Sequence, residues 1–260
     1  MNLQLTNKKA LVTASTGGIG HAIATTLASE GAEVIVNGRS QETVDSALSE
    51  INGKTIGLVA DLGTAEGAAK TIAAHPDIDI LVNNLGIYWD QPFEELTDDD
   101  WSKIFEVNVM SGVRLARHYF PRMLQADWGR VIFIASESGI MVPKEMIHYG
   151  FSKSAQLAVA SGLAQLTKGT GVTVNSVLPG PTQTDNVIEF MRGLVDGAEE
   201  KSPEDIGRDF VAQHRPSSLL GRLIKPAEIA SLVAYVASPL SAATNGAALR
   251  AEGGLVQSIV

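Results

Sequence analysis

Tyr149 and Lys153 stand four residues apart in the stretch "HYGFSK" (148–153). On a helix that spacing puts both side chains on one face, near enough for each to change the other's acidity. A free phenol has a pKa of about 10, too high for efficient proton exchange near neutrality. An ammonium one helical turn away favours the phenolate and lowers that value. A phenol tuned in this way serves as general acid in one direction and general base in the other. The spacing is too common to assign a role by itself, so the elements that would position the pair have to decide.

A second chemical feature lies near the N-terminus. The apolar run "KALVT" (9–13) leads straight into "TASTGGIG" (13–20), and Ile19, Ile23 and Leu27 then recur at helical spacing. Strand, tight turn and helix start form the context in which a glycine-rich turn cradles a phosphate, because the first N–H groups of the helix are unpaired and its dipole is positive there. Gly18 and Gly20, lacking Cβ atoms, let backbone approach a pyrophosphate and let the helix pack on the strand. After the second apolar run the sequence reads "VIVNGRS", with Gly38 where an acid would accept from ribose hydroxyls and Arg39 next to it. A guanidinium fits a 2′-phosphate, so NADP(H) is favoured over NAD(H).

The elements between these features alternate. Strands are expected at 9–13, 33–37, 56–60, 79–83, 130–135, 172–178 and 247–251, with helical patterns between them. The strand runs are almost continuously apolar, as in a parallel sheet buried on both faces. This predicts an α/β protein with a Rossmann-type doubly wound, mainly seven-stranded parallel sheet and helices on both faces, built as one domain over 1–260. Residues 185–225 are long for a simple crossover. With Val187, Phe190, Met191 and Leu194 at helical spacing, they read as a helical insertion covering the substrate side of the crevice.

Composition limits the partners. A net charge of −9 disfavours nucleic acid and anionic membranes. There are no cysteines, and His21, His75, His118, His148 and His214 show no ligand spacing, so no metal site is expected. The N-terminus lacks the apolar run of a signal peptide and no stretch approaches the roughly 20 residues of a membrane helix. The reading is a cytoplasmic protein acting on a small molecule.

Together the motifs resemble the short-chain dehydrogenase/reductase family from about residue 5 to 255, with its 3-oxoacyl-carrier-protein-reductase-like members the nearest in kind. "TASTGGIG" is similar to the family's T-G-x-x-x-G-I-G, with Ala14 in place of a glycine, and "NNLG" (83–86) to N-N-A-G, with Leu85 in place of alanine. The resemblance implies a cofactor site formed by Ala14, Ser15, Thr16, Gly18, Ile19 and Gly20 in the turn and by Arg39. "ADL" (60–62) would add Asp61 and Leu62 at the adenine, "NNLG" Asn84 and Gly86, and "LPGPTQT" (178–184) Pro179, Gly180, Thr182 and Thr184 at the nicotinamide. "AEGG" (251–254) matches the family's closing V-D-G-G. Ala14 requires a backbone conformation that a Cβ permits, and Leu85 is expected to narrow the cofactor groove.

The resemblance also implies the catalytic set. "IFIASESG" (132–139) supplies the serine, and the family spacing of 13 before the tyrosine selects Ser136 over Ser138. "FEVNV" (105–109) supplies Asn108, which would hold a water linking Lys153 to solvent. Tyr149 would exchange the proton, Lys153 would lower its pKa and hold the nicotinamide ribose, and Ser136 would orient the substrate oxygen. The implied activity is an NADP(H)-dependent transfer of hydride between nicotinamide and a carbonyl or secondary alcohol, as a ketone or 3-oxoacyl-type reductase. The alternatives are an NAD(H)-dependent alcohol or sugar dehydrogenase, a non-catalytic NADP(H) sensor, and a non-redox enzyme sharing only the glycine turn. Substrate contacts are expected from Ser138, Tyr88, Trp89 and Met141, with Glu137, Val142 and His148 as further candidates and Glu137 alternatively a solvated loop charge. The resemblance implies a homotetramer, and two features agree with it: "SKSAQLAVASGLAQLT" (152–167) is small and apolar almost all round, and the tail "LVQSIV" ends apolar.

Overall fold

The computed structural model describes residues 2–195 and 197–259. Seven strands, β1 (Lys9–Val12), β2 (Glu33–Gly38), β3 (Lys54–Val59), β4 (Ile80–Asn83), β5 (Gly129–Ile134), β6 (Val172–Pro179) and β7 (Ala248–Ala251), form one parallel sheet in the order β3-β2-β1-β4-β5-β6-β7. Each expected strand is present, with ends shifted by no more than two residues. Successive residues of the five inner strands feed opposite cores, which is why those runs are apolar throughout rather than alternating, whereas the edge strands β3 and β7 are partly exposed.

Ala10 and Val12 of β1 join Val34, Val36, Val82 and Ile132 beneath α1 (Gly18–Ser29) and α9 (Pro226–Ala237). Leu11 points the other way, with Ile35, Leu81, Val131 and Phe133, toward α3 (Ala65–Ala74), α5 (Ser111–Gln125) and α6 (Ile147–Gln165). Ile23 and Leu27, expected on one face of the first helix, are fully buried in the first of these layers. α2 (Gln41–Glu50) starts at Ser40, whose hydroxyl accepts from Thr43 N. α4 (Asp98–Phe105) passes into α5 through a π turn over Glu106–Met110. π turns re-aim the side chains they carry, and this one carries Asn108.

Strand order reverses between β1 and β4, because β2 and β3 lie to one side and β5 to β7 to the other. A crevice opens there at the carboxyl ends of the strands. The 185–225 segment forms α7 (Asp185–Arg192) and α8 (Pro203–His214) around a small core of its own, with Ile188, Met191, Ile206, Phe210 and Leu223. Among the described residues no helix is long and apolar enough to cross a membrane.

Candidate active site

At the first turn of α1, sequence and geometry account for each other. Gly17 is the N-cap and supplies no side-chain cap, and a Cβ there would meet nothing within 4 Å. The N–H groups of Gly18, Ile19 and Gly20 begin the helix and have no intrahelical acceptor. Gly18 takes φ +54°, and a Cβ on it would lie 3.1 Å from Thr184 Cγ2, so the turn and the segment after β6 meet across the crevice. A Cβ on Gly20 would fall 2.3 Å from Ala14 O, which bars any side chain.

Ala14 sits at φ +50°, the left-handed region that favours glycine. A buried polar network holds it there. Ala14 N donates to Asn37 Oδ1 at 3.0 Å, and Asn84 Nδ2 donates to Ala14 O at 3.1 Å and Thr13 O at 3.0 Å. Asn37 Nδ2 donates to Ala60 O at 3.0 Å, so one amide ties the turn to β2 and to the end of β3. Asn37 went unremarked in the sequence, where the only signal is an amide closing an otherwise apolar strand.

Several residues expected to hold a cofactor spend their side chains on the scaffold. Ser15 is fully buried, with Oγ donating to Val12 O at 2.7 Å and accepting from Asn37 N at 2.9 Å, so only its backbone can face a ligand. Leu62 is buried in the core, and Thr182 is buried with Oγ1 on Gly180 O at 2.8 Å. Leu85, expected to narrow the groove, packs instead against the core layer under α5 and α6. Asp61 is exposed, its Oδ1 accepting from Gly63 N at 3.0 Å, and Arg39 is exposed beyond the end of β2. Thr16 approaches Gly38, whose Cβ position lies 2.6 Å from Thr16 Cγ2 and 2.9 Å from Val44 Cγ2, so a side chain at residue 38 would have to displace both. Gly180 lies against Glu252, with a Cβ position 2.9 Å from its Cα, while Pro179 ends β6 and Thr184 caps α7.

The proposed catalytic side chains converge where β5 and α6 meet. Ser136 and Lys153 are 6% and 4% exposed, and Lys153 Nζ donates to Ile134 O at 2.9 Å and Gln156 Oε1 at 3.3 Å. Nζ lies 5.6 Å from the Tyr149 ring centroid. A Cβ on Gly86 would come to 3.4 Å from Nζ, which places the "NNLG" turn beside the ammonium. Burial lowers the Lys153 pKa to about 8, against a smaller opposing pull from Glu137.

The Tyr149 phenol departs from expectation. Its pKa is raised, first because burial disfavours the phenolate and then because the Glu137 charge repels it; the Ser136 hydroxyl pulls the other way. The lowering expected from Lys153 does not prevail against burial.

Asn108 is held by its neighbours. Its side chain is fully engaged: Oδ1 accepts from Ile87 N at 2.7 Å, and Nδ2 donates to Ile87 O and Ser152 Oγ, each at 2.9 Å. Its carbonyl is taken by the Gln156 amide, and Gln156 Oε1 accepts from Lys153. Gln156 therefore joins Lys153 to the Asn108 carbonyl. Gln156 lies three residues after Lys153 on the same helix face, the one sequence signal that could have found it.

On the substrate side, Tyr88 makes edge contacts with Tyr149 (centroids 6.0 Å) and with Phe190 of α7 (5.6 Å), so the inserted helix reaches the tyrosine's surroundings. Trp89 turns away: its ring packs on His148 at 4.4 Å and Nε1 donates to Gln91 Oε1 at 2.8 Å. His148 itself is fully buried between Trp89 and Trp101, with burial lowering its pKa, and lines no open space. Met141 and Val142 lie exposed on an outer rim with Arg215. Ser138 is buried and donates its N–H to Ser136 Oγ at 3.1 Å. Glu137, far from being a solvated loop charge, is only 5% exposed, and Ser136 Oγ donates to its Oε2 at 2.5 Å.

A doubly wound sheet, a phosphate-type turn at its switch point and a serine–tyrosine–lysine corner beside it define a nucleotide-dependent oxidoreductase of the Rossmann type. The short chain dehydrogenase family model matches residues 8–193, and the chain belongs to that family. Over 264 residues and the whole of both chains it is 48% identical to the uncharacterized oxidoreductase YvaG of Bacillus subtilis (strain 168). It is 32% identical to the 3-oxoacyl-[acyl-carrier-protein] reductase FabG of Vibrio cholerae, covering 98% of this chain and 99% of that one. The L-sorbose reductase of Gluconobacter frateurii, solved with NADPH and L-sorbose, superposes with a TM-score of 0.88 at 25% identity over all of both chains.

Proposed function

We propose that this oxidoreductase reduces a small polar ketone with NADPH, through Tyr149 as proton donor, Ser136 as the hydrogen-bond donor that orients the carbonyl, and Lys153 and Asn108 in support. The observation that carries the reading is the buried corner in which Ser136, Tyr149 and Lys153 meet beside the "NNLG" turn. A sensor would have no need to bury an ammonium and a phenol together at such cost in solvation.

A bound dihydronicotinamide would supply the hydride. The chain's own part is to hold the carbonyl oxygen between the Ser136 and Tyr149 hydroxyls and to deliver the phenolic proton as charge develops on that oxygen. Lys153 would offset the phenolate left behind, and the Gln156 amide would keep the ammonium fixed toward Tyr149. The free N–H groups of Gly18, Ile19 and Gly20 would take the pyrophosphate.

Preference for NADPH rests on Gly38 and Arg39. Gly38 offers no acid to accept from ribose hydroxyls, and Arg39 is exposed and free to meet a 2′-phosphate. Phe190 and Tyr88 support a substrate-covering role for 185–225 within a single domain. Homotetramer assembly in the cytoplasm is part of the same reading: Phe105 and Phe151 stand exposed side by side on α4 and α6, and Ile259 is fully exposed.

The test is absorbance of reduced nicotinamide with a panel of 3-oxoacyl thioesters, α-diketones, cyclic ketones and polyhydroxy ketones, each with NADPH and NADH. Turnover of one class with NADPH is expected, and Arg39→Ala should raise KM for NADPH much more than for NADH. Equal effects on both cofactors discard the 2′-phosphate role, and tight NADPH binding without any turnover favours a sensor.

A further inference from the structure

Glu137 has no part in the reading above, yet it is the group closest to the serine that reading depends on. It follows Ser136 directly, at the start of a single helical turn (Glu137–Gly139). Its side chain is withdrawn from solvent, and its Oε2 lies 2.5 Å from Ser136 Oγ. That is the short end of the range for an O–H bonded to a carboxylate. A carboxylate charge buried at 5% exposure is costly unless several partners support it. The charged and titratable groups facing it are few. Tyr149 and Lys153 approach from α6, and Arg215 acts on it from beyond the end of α8, itself drawn toward Glu145 at 3.8 Å.

Counting protons shows what this contact does. A serine hydroxyl has one proton to give and two lone pairs with which to accept. Ser136 Oγ already accepts from Ser138 N at 3.1 Å. When Glu137 is ionised, the single proton of Ser136 is spent on it, and a carbonyl oxygen placed near Ser136 meets lone pairs rather than a donor. When Glu137 is protonated, its O–H donates to Ser136 Oγ, which then accepts from both Ser138 and Glu137 and has its own proton free for the substrate. We propose that Glu137 is a positioning residue that sets the direction of the Ser136 proton, so that reduction proceeds through the form in which the Glu137 carboxyl is protonated.

The inference rests on the role given above to Ser136. Burial supports it, because desolvation pushes the Glu137 carboxyl above the usual carboxylate range, with Ser136 and Arg215 opposing. The ionised carboxyl also raises the Tyr149 pKa, so the charge that captures the serine proton makes the phenol a weaker acid as well. Both effects act in the same direction. No proton is consumed or produced by Glu137 over a turnover, since the proton it holds returns with each cycle.

Two measurements test this, chosen so that they fail separately. The first is the pH profile of kcat/KM for reduction by NADPH of whichever panel ketone turns over. The parent should lose about tenfold per pH unit above the Glu137 midpoint, as one ionising group requires. Glu137→Gln, whose amide donates to Ser136 Oγ at every pH, should stay flat across that interval. A decline with the same midpoint in both proteins overturns the proposal and leaves the reductase reading standing. The second measurement needs neither substrate nor cofactor: carboxyl 13C NMR of protein labelled at glutamate Cδ, with Glu137 assigned by its loss in Glu137→Gln. Its midpoint should lie above the ordinary value of about 4.3 and rise further in Ser136→Ala, which removes the hydroxyl that favours the carboxylate. An ordinary midpoint, or one unmoved by Ser136→Ala, overturns the proposal even where the panel stays silent.

Discussion

The two sides of the crevice are stabilised in opposite ways. On the β1–β3 side the glycine-rich turn is tied down by neutral polar groups: Thr13, Ser15, Asn37 and Asn84 bond backbone atoms of the turn and of each other's strands. On the β5–α6 side, Glu137, Tyr149 and Lys153 are buried together, each with its acidity displaced by the loss of solvent. A satisfied network is rigid and can hold even an alanine at positive φ. A cluster of desolvated ionisable groups stores unfavourable energy that a charged cofactor and a developing oxyanion can release. The contrast suggests that one side is built to keep its shape and the other to respond to what binds.

The largest effect that would break this contrast is at Lys153. Lys153→Met should reduce turnover at least about 100-fold, the scale of an assisted proton transfer. Stability should respond differently. Folding lowers the lysine pKa from 10.5 to about 8, so the folded state binds fewer protons than the unfolded chain between those values. The burial penalty is therefore full below pH 8 and fades as pH rises toward 10.5. The Tm of the variant relative to the parent should be higher at pH 7 than at pH 10. A difference independent of pH would show that Lys153 is not under strain and that the two sides do not differ in kind.

Asn37→Ala is the mirror test. It strips Ala14 N and Ala60 O of their partners and should cost about 1–3 kcal/mol for buried groups left unpaired. Chemical denaturation reads that loss, and NADPH affinity should weaken with it because the turn loses its brace. The rate with saturating NADPH should change far less than in Lys153→Met. A fall in maximal rate as large as that of the lysine variant would erase the distinction between the two sides.

Which parts of this were legible beforehand follows from what sequence patterns encode. The strands were legible because burial on both faces imposes unbroken apolar runs, and the turn and the Tyr149–Lys153 pair because their spacing is fixed by one strand end or one helix. Side-chain commitments were not. Ser15 and Leu62 face the scaffold, and Trp89 packs on His148, because neighbours distant in the chain decide where each points. Glu137 was the hardest, since an acid between two serines gives no sign of burial until α6 closes over it. The raised pKa of Tyr149 was hidden for the same reason: spacing reports the lysine nearby, whereas desolvation depends on the whole enclosure.

The smallest test concerns Ala14, where the rigid side departs from the family's glycine. At φ +50° an alanine carries steric strain of roughly 1–2 kcal/mol, while glycine would lose about 0.5–1 kcal/mol more backbone entropy on folding. Ala14→Gly should therefore raise stability by about 0.5–1 kcal/mol, a Tm increase of about 1–3 °C in a chain of this size. The hydrogen bonds from Asn37 and Asn84 involve only the backbone of residue 14 and survive the change. A fall in Tm would mean that the methyl group costs less at this turn than the backbone entropy glycine loses on folding. That outcome would strengthen the picture of a cofactor side held by its polar ties rather than by its glycines.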